Sequence, residues 1–115
     1  MKDLLFVLAP GFSDGEGAPY YCPYCMIFEG LLALYPKLAE GVAIRRVAYR
    51  RPRSEIVDLL GEEHQSCPVL VLRRDLSASC SDLPWQKAEG RLFLDDPEAI
   101  GNYLSRVYGI PRPHR

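Results

Sequence analysis

Leu4-Leu5-Phe6-Val7-Leu8 is an unbroken apolar run that stops at Pro10-Gly11. A strand without polar alternation belongs in the middle of a sheet, because both of its faces must be covered. The rest of the chain therefore has to supply layers for two faces. From Pro23, apolar residues recur at helical spacing through Ile27, Phe28, Leu31, Leu32, Leu34 and Tyr35 until Pro36 blocks continuation, which predicts a helix over 23–35. Pro23 suits its first turn, where a missing N–H costs nothing. Val42 to Tyr49 is rich in β-branched residues and predicts a second strand, and a strand-helix-strand opening favours a parallel pair with a right-handed crossover.

Ser54 to Leu60 predicts a short helix with Ser54 as N-cap and Gly61 just beyond it. Val69 to Leu72 reads as a third, buried strand and Arg91 to Asp95 as a fourth. Asp96-Pro97-Glu98 then opens a helix whose stripe of Ala99, Ile100, Tyr103, Leu104, Val107 and Tyr108 ends at Gly109 and Pro111. Two late strands joined without a helix favour an antiparallel pair. The expected order is β-α-β-α-β-β-α, a mixed four-stranded sheet flanked by helices. It carries an extended loop over 11–21 and an eighteen-residue polar insert over 73–90 that reads as a lid, a binding loop or a floppy insert.

At 115 residues the chain has room for one domain, and 48% hydrophobic with 25% charged residues is ordinary globular usage, which excludes disordered and collagenous classes. Fourteen basic residues against fifteen acidic leave a net charge of -1, so no global attraction to nucleic acid or to an anionic membrane is expected. The Leu4–Ala9 run is too short for a signal-peptide core or a membrane span, which predicts a cytoplasmic protein. In a reducing cytosol the four cysteines, Cys22, Cys25, Cys67 and Cys80, would be free thiols, available for redox chemistry or for metal.

Cys22-Pro23-Tyr24-Cys25 places two thiols three positions apart across the start of a helix that follows a buried strand. The first thiol meets free backbone N–H groups and the positive end of the helix dipole, which favour a thiolate. The second lies near enough to close a small disulfide, so the motif suits attack, mixed disulfide and resolution.

CPYC resembles the active site of glutaredoxins, and the order of elements is similar to that of the thioredoxin-like superfamily. Cys67-Pro68 stands where such proteins carry a cis-proline that shapes the substrate groove. The stretch DDPEAIGNYL, with Asp95 and Asp96, is similar to the acidic turn and helix start that hold the γ-glutamyl end of glutathione. Cys80-Ser81-Asp82-Leu83 competes for that role. Arg51 or Arg53, at the start of the second helix, would grip the glycyl carboxylate, since a guanidinium meets a carboxylate at two points. More narrowly, the Gly-rich loop, the tyrosine before the CxxC, the arginine cluster and the ending RVYGIPRPH look like an uncharacterised bacterial family of thioredoxin-like domains of unknown function.

The resemblance implies a thiol-disulfide oxidoreductase, glutathione-linked, with Cys22 attacking, Cys25 resolving and Tyr24 flanking the nucleophile. Its partner would be glutathione or a protein disulfide, and no further cofactor is required. Glutaredoxins carry a lysine ahead of the motif. Here no basic residue lies between Lys2 and Lys37, whereas Asp3, Asp14, Glu16 and Glu29 do, and carboxylates near Cys22 would oppose the thiolate.

Cys67 departs from the family in adding a third thiol. With His64 three residues before it, Cys22, Cys25 and Cys67 have spacing permissive of a zinc site. The competing reading is therefore a non-catalytic binding domain whose thiols hold a metal or simply pack. Arg45, Arg46, Arg50, Arg51 and Arg53 put five positive charges within nine residues. With only Tyr49 among them this reads as a solvated face paired with the acidic loop rather than a nucleic-acid patch. Cys80, in a polar loop, reads as incidental and exposed, and Trp85 as an anchor over either the core or the thiols.

Overall fold

The structure is a computed structural model and describes residues 1–114. In chain order the elements are β1 (Asp3–Leu8), α1 (Pro23–Leu34), β2 (Val42–Val47), α2 (Ser54–Leu60), β3 (Val69–Val71), β4 (Gln86–Ala88), β5 (Arg91–Leu94) and α3 (Pro97–Tyr108), with short 3-10 turns at Pro36–Glu40 and Ala78–Cys80. The sheet is mixed and runs β2-β1-β3-β5-β4. β1 pairs with β2 in parallel, Leu5 opposite Ile44, and with β3 antiparallel, Leu5 opposite Leu70. All six residues of β1 are buried, as its unbroken apolar run requires.

The sheet has five strands, not the four expected. The extra one, β4, lies inside the segment expected to be an irregular insert and pairs with β5, Lys87 opposite Leu92. Its sequence QKA has no apolar pattern because it is an edge strand, whose place is set by backbone pairing and by the turn at Glu89-Gly90, both at positive φ. The 73–90 segment is neither lid nor floppy. Cys80 and Leu83 are buried, and Trp85 donates its Nε1–H to the Cys80 carbonyl at 2.9 Å. The Trp85 indole packs edge-on against Tyr103, 5.5 Å between ring centroids, so it anchors the segment on α3 and the core. Arg106 of α3 adds an ion pair to Asp82 at 2.6 Å. Cys80, expected to be exposed, is therefore a core residue.

α1 ends one residue short of the expected limit, and β2 stops at Val47. α2 begins with Ser54 itself, and Arg53 takes the N-cap position without a side-chain cap. Asp96 caps α3 as expected, accepting the Ala99 N–H at 2.9 Å. A small void lined by Leu5, Phe28, Leu32, Val42, Ile44 and Leu104 places α1 and α3 against the β1–β2 face of the sheet. α2 contributes Ile56 and Leu60 to the same core. Among the described residues no helix is long and apolar enough to cross a membrane.

The amino end of β1 is held by a buried carboxylate. Asp3 is fully buried and accepts the backbone N–H groups of Arg73 at 2.9 Å and Arg74 at 3.3 Å, and the hydroxyl of Tyr103. Tyr108 lies 3.4 Å from the same carboxylate and donates to the Gly41 carbonyl at 3.0 Å. Its ring fills the space a side chain at residue 41 would need, since a Cβ there would stand 2.2 Å from Cε1. Burial and the Asp3 charge hold both phenols protonated: Tyr103 is pushed well above its usual range and Tyr108 from 10.0 up to about 12.

Asp3→Ala removes the acceptor for several buried donors and should cost about 2–4 kcal/mol in urea denaturation. Because the folded protein holds the Tyr108 proton more tightly than the unfolded chain does, the stability contributed by the protonated Tyr108 is complete below pH 10.0 and is lost as pH climbs to about 12. Thermal melting should therefore drop across this window, and Tyr108→Phe should flatten part of the drop.

Candidate functional site

Cys22 is the N-cap of α1, with extended backbone (φ -80°, ψ 113°) and Pro23 at the first helical position. Its sulfur takes the place usually held by a serine or aspartate oxygen and accepts the Cys25 N–H at 3.2 Å. Cys25 lies one turn into the helix, fully buried, and its sulfur accepts the N–H of Leu8, the last residue of β1, at 3.4 Å. The dithiol thus straddles the junction of strand and helix. Both residues are buried, Cys22 keeping 9% of its surface exposed and Cys25 none. Burial, followed by the contact with Cys22, pushes the Cys25 thiol well above its ordinary range. All four cysteines are free thiols.

The Cys67–Pro68 peptide is cis, as is Arg51–Pro52. Pro68 is buried where β3 begins, and Cys67 stands half-buried beside it, close enough to Cys22 for their charges to interact. Burial pushes the Cys67 thiol up to about 11, against the guanidinium groups of Arg53 and Arg51, which pull it down. Three of the four cysteines therefore converge at the carboxyl end of β1.

The remaining expected residues divide. Tyr24 and Asp96 come together in one open groove of about 530 Å³, with Ile27, Leu31, Pro97 and Pro111. The Asp96 carboxylate is already engaged as the cap of α3, and Asp95 accepts a hydrogen bond from the Gln86 amide at 2.7 Å. Asp82 pairs with Arg106 instead of lining a groove. His64 does not join the thiols; its ring packs 5.0 Å from that of Phe93 on β5. Among the described residues no group of three or more His, Cys, Asp or Glu is gathered in a way that could hold a metal ion, Cys22, Cys25, Cys67 and His64 included.

Two of the four acids expected to oppose the thiolate, Asp3 and Glu29, are occupied elsewhere. Asp3 sits at the far end of β1, and Glu29 receives Arg46 through two hydrogen bonds at 2.7 and 2.6 Å. Arg45 pairs with Glu55 at 3.5 Å. These partners come from α1 and α2, not from the 11–21 loop as expected. That loop is pinned at its base by reciprocal hydrogen bonds between Phe12 and Tyr20, and Phe12 stacks on Tyr49 with 4.4 Å between centroids. Arg51 stays exposed at a second cleft beside Arg50 and Arg53.

Arg53 is the residue whose role the sequence pattern conceals. It is buried, donating to the Tyr49 carbonyl at 3.0 and 2.6 Å and to the Gln65 carbonyl at 2.6 Å, while the Gln65 side chain accepts the Arg53 N–H at 2.8 Å. The only sequence signal was an arginine just ahead of a short helix, which is indistinguishable from its exposed neighbours.

Taken together, the structure defines a small α/β domain with a mixed sheet and a dithiol where the first strand meets the first helix. The chain belongs to DUF3088, a family of proteins of unknown function, whose family model matches residues 2–112. No curated protein and no solved structure matches it.

Labelling should report the order of accessibility. A thiol raised from 9.0 to about 11 carries about a hundredth of the thiolate of an unperturbed cysteine at pH 8. Iodoacetamide should therefore modify Cys67 slowly at pH 8, at a rate still climbing toward pH 11. Cys25 and Cys80 should stay unlabelled until the protein unfolds. Peptide mass spectrometry over a pH series measures all four sites.

Proposed function

We propose that the domain has a thioredoxin-like architecture and acts as a thiol-disulfide oxidoreductase, glutathione-linked, with Cys22 as the attacking thiol and Cys25 as the resolving one. The observation that carries this reading is the asymmetry of the pair. One sulfur caps a helix amino terminus on a residue that keeps 9% of its surface exposed, and the other belongs to a fully buried residue and has its proton held. The parallel β1–α1–β2 unit, the antiparallel β3–β5 pair and the cis-proline beside the thiols support the architecture.

In the first step the Cys22 thiolate attacks one sulfur of a disulfide R–S–S–R′. A Cys22–S–S–R bond forms, R′–S⁻ leaves, and it takes up a proton from water. Cys25 then gives up its proton and attacks the Cys22 sulfur, forming the Cys22–Cys25 disulfide and releasing R–SH. The substrate has gained two electrons from the dithiol, and two equivalents of a thiol such as glutathione return them. The high affinity of Cys25 for its proton keeps it from competing in the first step. Exposed Tyr20, Tyr21, Tyr24 and Ile27 around the motif offer apolar contact to a disulfide partner.

Reduction of a mixed disulfide between glutathione and a small thiol should proceed with the unmodified protein and fall to background in Cys22→Ser. Cys25→Ser should accumulate a covalent adduct with glutathione on Cys22, visible as a mass increase. If neither variant changes the rate and no adduct forms, the thiols only pack and the domain is a binding module.

A further inference from the structure

Between the 11–21 loop and the turn from β2 to α2 lies an open cleft of about 750 Å³, within the range of roughly 300–1,000 Å³ usual for small-molecule sites. Arg50, Arg51 and Arg53 line it, and Asp14 is the one carboxylate among its lining residues. Three guanidinium charges against a single carboxylate leave an excess of two. The neighbouring Arg45 and Arg46 are neutralised by Glu55 and Glu29, but among the described residues none of the three cleft arginines forms an ion pair.

Arg53 is the decisive one. It is only 7% exposed; it donates to backbone carbonyls, lies over the Tyr49 ring at 5.6 Å and meets the Cys67 thiol. Its guanidinium has no carboxylate partner among the described residues, so its charge adds to that of Arg50 and Arg51 at the cleft. Three of its N–H donors go to carbonyls, and its side chain also bonds the Cys67 thiol. The cleft is also lined by the stacked rings of Phe12 and Tyr49, inclined at 4° to one another, which set aromatic groups beside the positive charge.

We propose that this cleft is a binding site for a small phosphorylated molecule, its phosphate met by Arg50, Arg51 and Arg53 and its organic part laid against the Phe12–Tyr49 pair. A phosphate monoester carries about -1.5 to -2 at neutral pH and so matches the excess charge, where a lone carboxylate would leave half of it unanswered. The site does not depend on Cys22 and stands apart from the exchange chemistry. It nonetheless reaches the thiols, because Arg53 and Arg51 both act on Cys67. An anion in the cleft would offset their field and make the Cys67 thiolate harder to form, so occupancy would be read out as slower Cys67 chemistry.

The test uses full-length Cys22→Ser protein, which removes the exchange reaction, and titrates it with inorganic phosphate, AMP, adenosine or reduced glutathione at constant ionic strength. Phosphate and AMP should produce saturable shifts in the side-chain resonances of Arg50 and Arg51 and slow Cys67 labelling about threefold, whereas adenosine alone should do neither. A stronger response to AMP than to phosphate assigns the organic part to the aromatic pair. An equal response assigns recognition to the phosphate alone and removes the aromatic pair from the proposal. Arg50→Gln with Arg51→Gln, both exposed and hence compatible with an unchanged melting temperature, should weaken binding at least about tenfold. The proposal is overturned if phosphate and AMP give no saturable response, if the double variant binds them equally well, or if only glutathione binds.

Discussion

A strand buried on both faces can exist only if every other part of the molecule is arranged around it. β1 has no solvent-facing side chain at any of its six positions, so β2 and β3 must flank it and helices must cover it. Its two ends cannot be finished by apolar residues alone, because the last backbone groups need partners. At the amino end the chain places a buried carboxylate that collects the Arg73 and Arg74 N–H groups and the Tyr103 hydroxyl. At the carboxyl end the Leu8 N–H goes to the Cys25 sulfur. The same strand is thus closed by an acid at one end and a thiol at the other, and the thiol end is where Cys22, Cys25 and Cys67 gather.

That arrangement explains why the two cysteines of the motif are so unlike. Cys25 is part of the fold's own hydrogen bonding, and its burial follows from the need to satisfy β1. Cys22 is one residue outside the helix and caps it. One sulfur caps the helix and the other completes the hydrogen bonding of the strand, so the dithiol is asymmetric. Cys67 joins them from the opposite side of the sequence through Pro68, and its thiol is governed by burial on one hand and by Arg53 and Arg51 on the other.

The charge cluster from Arg45 to Arg53 shows how one run of identical residues is divided by the backbone beneath it. On β2, Arg45 and Arg46 reach acids of the neighbouring helices. Beyond the strand, Arg50 and Arg51 meet no acid among the described residues and face the cleft, while Arg53 turns inward and holds the turn together through the Tyr49 and Gln65 carbonyls. A composition argument sees five equal charges, although the fold gives them three different tasks.

Periodicity sufficed for β1, α1 and α3, because long apolar patterns and the Asp96-Pro97 start are local signals that survive any tertiary context. The CPYC pair at a helix start was equally legible, since capping is a property of neighbouring residues. β4 was not, because QKA acquires its strand character from pairing with β5 and from the turn between them. Nor were the burial of Cys80, the isolation of His64 from the thiols, or the inward turn of Arg53. Each depends on what a distant segment places opposite the residue: Trp85 and α3 for the first, Phe93 for the second, Gln65 for the third. The sequence by itself determined which segments could be strands or helices and which sulfur would stand at a helix terminus, because those follow from spacing along the chain. Only the tertiary structure decided which charges are neutralised and which thiols meet, because Coulombic and packing partners are chosen across the sheet.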